Sequence, residues 1–165
     1  MNKLNLTTEI TLFESIAELK PDEQELVRAA NKICKKAYAP YSEFRVGAAL
    51  RLKNGKIISG NNQENAAYPS GLCAERVAMF YANAQYPDVA VESIAIIAMN
   101  SEGVLPNPVA PCGACRQVLL ETEIRTKQAF DILLVGANSI SKINSSKDLL
   151  PLSFIGEGLK KGSNQ

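Results

Sequence analysis

The chain has 165 residues, of which 46% are hydrophobic and 21% charged, values typical of one globular domain with its own core. Eighteen basic and seventeen acidic residues leave a net charge of +1, which argues against a nucleic-acid partner because such domains carry a basic excess. The sequence contains no histidine, which excludes Ser-His-Asp and Cys-His nucleophiles within one chain and all histidine metal ligands. Any zinc must therefore be held by cysteines or carboxylates.

No apolar run approaches the roughly 18 residues that a membrane span requires, so we expect no membrane partner. The segment from Met1 to Glu23 intersperses acidic residues among apolar ones and does not resemble a signal peptide. We therefore expect a cytoplasmic protein, in which the four cysteines stay reduced and serve as ligands, catalytic groups or core residues.

Residues 1–20 are predicted to form an N-terminal arm with one helical turn around residues 13–19, followed by a single domain over residues 21–165. Pro21 begins a helix whose first turn is acidic, as the positive end of a helix dipole favours, and Pro40 stops the helical pattern.

The remaining predicted elements alternate between strands and helices. They are strands 44–50 and 57–61 joined by a turn at 53–56, a helix over 71–83, a strand over 91–99, a helix over 113–121 and a strand over 131–135. This alternation predicts an α/β layer structure, with a mixed sheet that starts from a hairpin and is covered by helices.

Two short segments concentrate chemistry, and each lies at the N-terminus of a predicted helix: Cys73-Ala74-Glu75-Arg76 and Pro111-Cys112-Gly113-Ala114-Cys115-Arg116. A helix N-terminus stabilises a thiolate, which is the form of cysteine that binds zinc. Three thiolates leave the fourth tetrahedral position open, as in catalytic zinc sites. Glu75 lies two residues from a candidate ligand and can move the proton of a water molecule at that position.

A single Cys-x-x-Cys also permits other interpretations. Cys112 and Cys115 could form a redox pair, or half of a structural four-cysteine zinc site with Cys34. Cys34 instead lies on the apolar stripe of the first helix, so we expect it to be a core residue.

Four segments together, in this order and spacing, resemble the small zinc-dependent cytidine deaminases that use three cysteines. They are Pro40 to Ala49, Asn62 to Ala66, Cys73 to Arg76 and Pro111 to Gln117, and the resemblance extends to Phe154. It implies a three-layer α/β/α cytidine deaminase-like fold, with a mixed sheet of about five strands, and a homotetramer with shared active sites.

The resemblance also implies a role for each matching residue. Cys73, Cys112 and Cys115 would bind one Zn²⁺ per chain, Glu75 would be the catalytic proton shuttle, and Arg76 would hydrogen-bond the ligand sulfurs. The implied substrate-binding set is Phe44 on the pyrimidine, Asn62 and Glu64 on the ribose, Ala74, and Phe154 from a neighbouring subunit. The implied reaction is hydrolytic deamination of cytidine and 2'-deoxycytidine by a zinc-bound hydroxide, releasing uridine or 2'-deoxyuridine and ammonia in pyrimidine salvage.

The residues alone leave alternatives open. Asn62 and Glu64 could be a solvated strand end, and Phe44 could be part of an apolar strand face. The chain could also deaminate another cytosine-like compound, such as an aminopyrimidine antibiotic, or be a non-catalytic zinc-stabilised binding protein. A polynucleotide deaminase would need a groove of basic and stacking residues, which mixed charges and 6% aromatic residues do not favour.

Overall fold

A computed structural model describes residues 1–159 and contains one mixed β-sheet with helices on both of its faces. The strands are β1 (Thr11–Phe13), β2 (Arg45–Leu52), β3 (Ile57–Asn61), β4 (Val91–Asn100), β5 (Gly103–Val104), β6 (Asp131–Val135) and β7 (Ile140–Ile143). The helices are α1 (Pro21–Cys34), α2 (Ala74–Gln85) and α3 (Gly113–Thr126), and short 3₁₀ helices cover Ile16–Glu18, Tyr68–Ser70, Ser146–Leu149 and Gly156–Leu159.

The strand order across the sheet is β1-β7-β6-β4-β2-β3, and the short β5 pairs with the end of β4. β4 and β6 are parallel, and the other neighbouring pairs are antiparallel. Parallel neighbours need a crossover connection, which here contains α3. The N-terminus of α3 therefore follows the carboxyl end of β4, the edge at which α/β sheets commonly carry their sites.

The two faces of the sheet bury separate cores. Ile94 and Ile96 pack toward α2 and α3, whereas Ala95 and Ile97 pack toward α1. Because successive side chains of a strand point to opposite faces, a strand covered on both faces is apolar throughout, as β4 is. This arrangement confirms the predicted three-layer α/β/α fold.

The predicted helices are confirmed, with differences at their ends. α2 begins at Ala74 rather than residue 71, because residues 68–70 form a 3₁₀ turn and Leu72 bridges the extended Gln63. α3 continues to Thr126, five residues beyond its predicted end. No helix within residues 1–159 is both long enough and apolar enough to cross a bilayer.

The sheet is larger than the predicted five strands. β1 and β5 have three and two residues, too few to produce a periodic pattern, and the four residues of β7 include two polar ones. β1 pairs with β7 through contacts such as Thr11 with Lys142. The predicted turn near residues 13–19 is the 3₁₀ helix Ile16–Glu18.

The contact between α1 and β2 depends on a glycine. A Cβ built on Gly47 would lie 2.2 Å from the carbonyl oxygen of Ala30 and 2.7 Å from the Cβ of Cys34. Cys34 is fully buried at this contact, and its Sγ donates to the carbonyl oxygen of Arg45 at 3.3 Å. Burial raises the pKa of the Cys34 thiol to about 11, so it is a neutral core residue, as predicted.

Replacing Gly47 with alanine should destabilise the fold, because the new methyl group meets backbone atoms of α1 that cannot rotate away. Overpacking of this kind typically costs about 1–3 kcal/mol, which chemical denaturation would measure as a lower midpoint. Gly156→Ala is the matched control, since no atom lies within 4 Å of its added Cβ. Equal stability of the two variants would contradict the close approach of α1 to β2.

Candidate active site

Two helix N-termini bring three cysteines together. Cys73 is the N-cap of α2, Cys112 is the N-cap of α3, and Cys115 lies in the first turn of α3. The positive end of a helix dipole lies at its N-terminus, so the positive ends of both helices lie at the three cysteines. The structure thus places all three predicted ligands at helix starts, as the sequence indicated.

The spacing of the sulfurs fits a zinc ion. The Sγ of Cys112 lies 3.8 Å from that of Cys73 and 3.5 Å from that of Cys115, and all three lie within 4.8 Å of one another. Two sulfurs bound at about 2.3 Å in a tetrahedral site are about 3.8 Å apart, whereas disulfide sulfurs are about 2.05 Å apart. Cys34 lies in the α1 layer on the opposite face of the sheet and does not belong to this group.

The cluster favours negative charge. The pKa of Cys73 is lowered to about 5, chiefly by a hydrogen bond from Cys115 and also by Arg76, whose Nη2 lies 3.8 Å from the Cys73 Sγ. The pKa of Cys115 is raised because its proton is shared with the Cys73 thiolate and because the residue is buried. The sulfur of Cys73 is therefore readily ionised to the thiolate, which is the form of cysteine that binds a dication.

Glu75 follows Cys73 by two residues in the first turn of α2 and is 5% exposed. Burial raises the pKa of its carboxyl group, and the neighbouring Cys73 thiolate raises it further. A raised pKa makes a carboxyl group better able to hold a proton as well as release it, which general acid and base catalysis requires.

The cluster opens into a cavity of about 590 Å³, a volume in the range of small-molecule sites. Its lining brings together seven of the predicted site residues: Phe44, Asn62, Glu64, Cys73, Glu75, Arg76 and Cys112. Three others do not line it. Ala74 and Cys115 are fully buried, and Phe154 is 67% exposed.

Asn62 and Glu64 both line the cavity and also hold its rim in place. The side chain of Asn62 accepts from the amide of Val46 at 2.7 Å and donates to the carbonyl of Phe44 at 2.9 Å. Glu64 accepts from the hydroxyl of Ser42, and from the amides of Tyr41 and Ser42 at 2.9 and 3.3 Å. These hydrogen bonds lower the pKa of Glu64, and the bond from the Ser42 hydroxyl makes the largest contribution. The carboxyl group is therefore ionised.

Several lining residues were not predicted from the sequence. Ile96 and Ala98 of β4 contribute to the wall, although their apolar strand indicated only a core position. Tyr41 and Tyr68 also line the cavity, with ring centroids 6.4 Å apart in an edge-to-face contact. Tyr41 lies within the first motif, so its position there could have identified it.

A buried carboxyl group beside three thiols on two helix N-termini, in a cavity of this size, defines a zinc-dependent hydrolytic site. Comparison with known proteins agrees with this class. Residues 20–130 match the family model described as the cytidine and deoxycytidylate deaminase zinc-binding region.

Individual relatives give the same result. The chain is 41% identical to a cytidine deaminase of Halalkalibacterium halodurans over 84% of this chain and 98% of that protein, and 36% identical to one from Sporosarcina psychrophila over 87% and 99%. A crystal structure of cytidine deaminase from Burkholderia pseudomallei superposes with a TM-score of 0.67 and 40% identity, covering 79% of this chain and 97% of that one. The chain belongs to the zinc-dependent cytidine deaminase family.

Replacing Cys73, Cys112 or Cys115 with alanine should lower the zinc content well below one ion per chain, because a two-sulfur site binds the ion far more weakly. Cys34→Ala should keep about one zinc per chain, since Cys34 lies in the other layer. Metal analysis of the purified variants by mass spectrometry measures this difference. Loss of zinc from Cys34→Ala would contradict the three-cysteine site.

Proposed function

We propose that this chain hydrolyses cytidine and 2'-deoxycytidine to uridine and 2'-deoxyuridine, releasing ammonia. The observation that carries the proposal is the position of Glu75, a buried carboxyl group two residues from Cys73 in the cavity that Asn62 and Glu64 also line. A zinc site needed only for stability does not require a carboxyl group beside an open position.

Cys73, Cys112 and Cys115 would hold the zinc, which supplies a Lewis acid that activates water for attack on C4 of the base. Glu75 would accept a proton from that water and deliver it to N3 of the ring. It would then take the proton of the new hydroxyl group on C4 and pass it to the amino group as the C4–N bond breaks, so that one water is consumed and one ammonia is released. The raised pKa of Glu75 supports this role, since the group must carry a proton in one step and lose it in another.

The remaining site residues would bind and orient the nucleoside. Phe44 is 36% exposed at the cavity, which leaves ring surface for packing on a pyrimidine. The ionised Glu64 and the amide of Asn62 could hold ribose hydroxyl groups. Ala74 is fully buried in the core beside the site, so it would act through packing and not through contact with the base. Arg76 would temper the charge of the sulfurs through its contact with Cys73.

The proposed assembly is a homotetramer in which Phe154 completes the site of a neighbouring subunit. In the single chain, Phe154 and Leu152 are 67% and 92% exposed, and two aromatic residues of α2, Phe80 and Tyr81, are 47% and 55% exposed. Large apolar side chains in such numbers on a surface are typical of contacts between chains.

We further propose the cytoplasm as the compartment and pyrimidine salvage as the role. The close spacing of the thiols supports a reducing compartment, because in an oxidising one sulfurs that lie 3.5 to 3.8 Å apart could form a disulfide. The proposed organisation is an arm over residues 1–20 and one deaminase domain over residues 21–165, of which residues 160–165 lie outside the described part of the chain. The start of the family match at residue 20 supports this division, although the arm adds strand β1 to the edge of the sheet.

Glu75→Gln should keep about one zinc per chain but lose roughly 100- to 10,000-fold in kcat, because the amide cannot transfer protons. The assay follows the loss of cytosine absorbance and the release of ammonia from cytidine. Glu92→Gln is the control, since this carboxylate is on the surface near Lys53. A zinc-loaded Glu75→Gln enzyme with wild-type kcat would contradict the proposed mechanism, and a wild-type chain without turnover would favour a binding protein.

Glu64→Ala should raise KM for cytidine about 10- to 100-fold, as expected for loss of a hydrogen bond to a charged group. The effect should be much smaller for 2',3'-dideoxycytidine, which lacks the 2'- and 3'-hydroxyl groups. Ser42→Ala separates this contact from loop positioning, because it removes a partner of Glu64 but keeps the carboxylate. Equal changes in KM for both substrates would show that Glu64 positions the loop at Ser42 and does not bind the ribose.

A further inference from the structure

We propose that Arg116 is a positioning residue of the zinc site, which joins the backbone before Cys112 to the segment Ser146–Leu149. Arg116 immediately follows Cys115 in α3. Its Nε donates to the carbonyl oxygen of Pro111 at 2.8 Å, and its Nη1 donates to the carbonyl oxygen of Leu149 at 2.8 Å. One guanidinium thus joins two pieces of backbone that are distant in the sequence.

The contact with Pro111 bears directly on a metal ligand. Cys112 is the N-cap of α3, so its backbone is extended and lies outside the regular helix. The amide of Arg116 donates to the carbonyl of Cys112 at 2.9 Å, while its side chain holds the preceding carbonyl of Pro111. The carbonyls on both sides of the Cys112 Cα are therefore hydrogen-bonded, which limits movement of Cys112. The bond to the Cys112 carbonyl is a main-chain helix bond that any residue at position 116 would keep, whereas the bond to the Pro111 carbonyl depends on the Arg116 side chain.

The contact with Leu149 can fix the Arg116 guanidinium because the segment Ser146–Leu149 is itself held by hydrogen bonds. Glu123, 3% exposed on α3, accepts from the amide of Ser146 and the hydroxyl of Ser145, both at 2.8 Å. It also accepts from the amide of Phe130 at 3.3 Å. The guanidinium of Arg116 therefore rests on a segment fixed by a buried carboxyl group.

The role of Arg116 differs from that of Arg76, although both lie near the cysteines. Arg76 contacts the sulfur of Cys73, whereas the side chain of Arg116 contacts backbone carbonyl oxygens. A planar guanidinium presents two N–H groups in a fixed geometry, which the single ammonium of lysine does not reproduce. Outer groups that orient metal ligands typically change metal affinity by about 10- to 100-fold when removed.

α3 also supplies a matched control. Near the other end of the same helix, Nη2 of Arg125 donates to the carbonyl oxygen of Pro87 at 2.7 Å. Arg125→Met therefore also removes an arginine-to-carbonyl contact from α3, but at a place far along the helix from the cysteines.

The test compares the full-length zinc-loaded wild type with Arg116→Met, Arg116→Lys and Arg125→Met. The rate of zinc release to a coloured chelator is measured for each, together with kcat and KM for cytidine. Arg116→Met should release zinc about 10-fold faster or more, Arg116→Lys should be intermediate, and Arg125→Met should match the wild type. For Arg116→Met, kcat should fall by a larger factor than KM rises, because the geometry of the cysteine ligands affects the chemical step more than it affects nucleoside binding.

Zinc release from both Arg116 variants at the wild-type rate would overturn the proposal, and so would an equal acceleration in Arg125→Met. If Arg116→Met does not fold, Arg116→Lys decides the question by the same measurement. The kinetic part of this proposal rests on the proposed function, but zinc release does not. Faster release from a chain that never deaminates cytidine would support the role of Arg116 and reject the proposed reaction.

Discussion

The structure depends on the placement of three sulfur atoms within 4.8 Å of one another at two helix N-termini. Three thiolates this close repel one another strongly unless positive charge compensates them. The helix dipoles of α2 and α3, the guanidinium of Arg76 and a dication supply that compensation. The zinc ion and the two helix N-termini thus serve the same purpose, which is to compensate the negative charge of the three thiolates.

The fold supplies this arrangement through its order of connections. α2 follows the β2–β3 hairpin, and α3 lies in the crossover between the parallel strands β4 and β6. Both helices pack on the same face of the sheet, which brings their N-termini together beside the cavity. α1 occupies the other face with Cys34, so the fourth cysteine is kept away from the metal and serves the core.

Local patterns in the sequence predicted the parts of the molecule that local physics determines. The apolar β4 and the burial of Cys34 follow from the periodicity of the apolar residues. Contacts between distant segments left no such signal: β1 pairs with β7 far along the chain, and Arg116 reaches a carbonyl 33 residues away. The second function of Asn62, which holds the backbone of β2, likewise depends on the folded hairpin.

Three cysteine sulfurs and no fourth protein sulfur would hold the metal, so that one coordination position remains for the reaction. X-ray absorption at the zinc edge of the purified, metal-loaded chain tests this coordination most directly. We expect three sulfur neighbours at about 2.3 Å and one oxygen or nitrogen neighbour at about 2.0 Å. Four sulfur neighbours, or two, would contradict it.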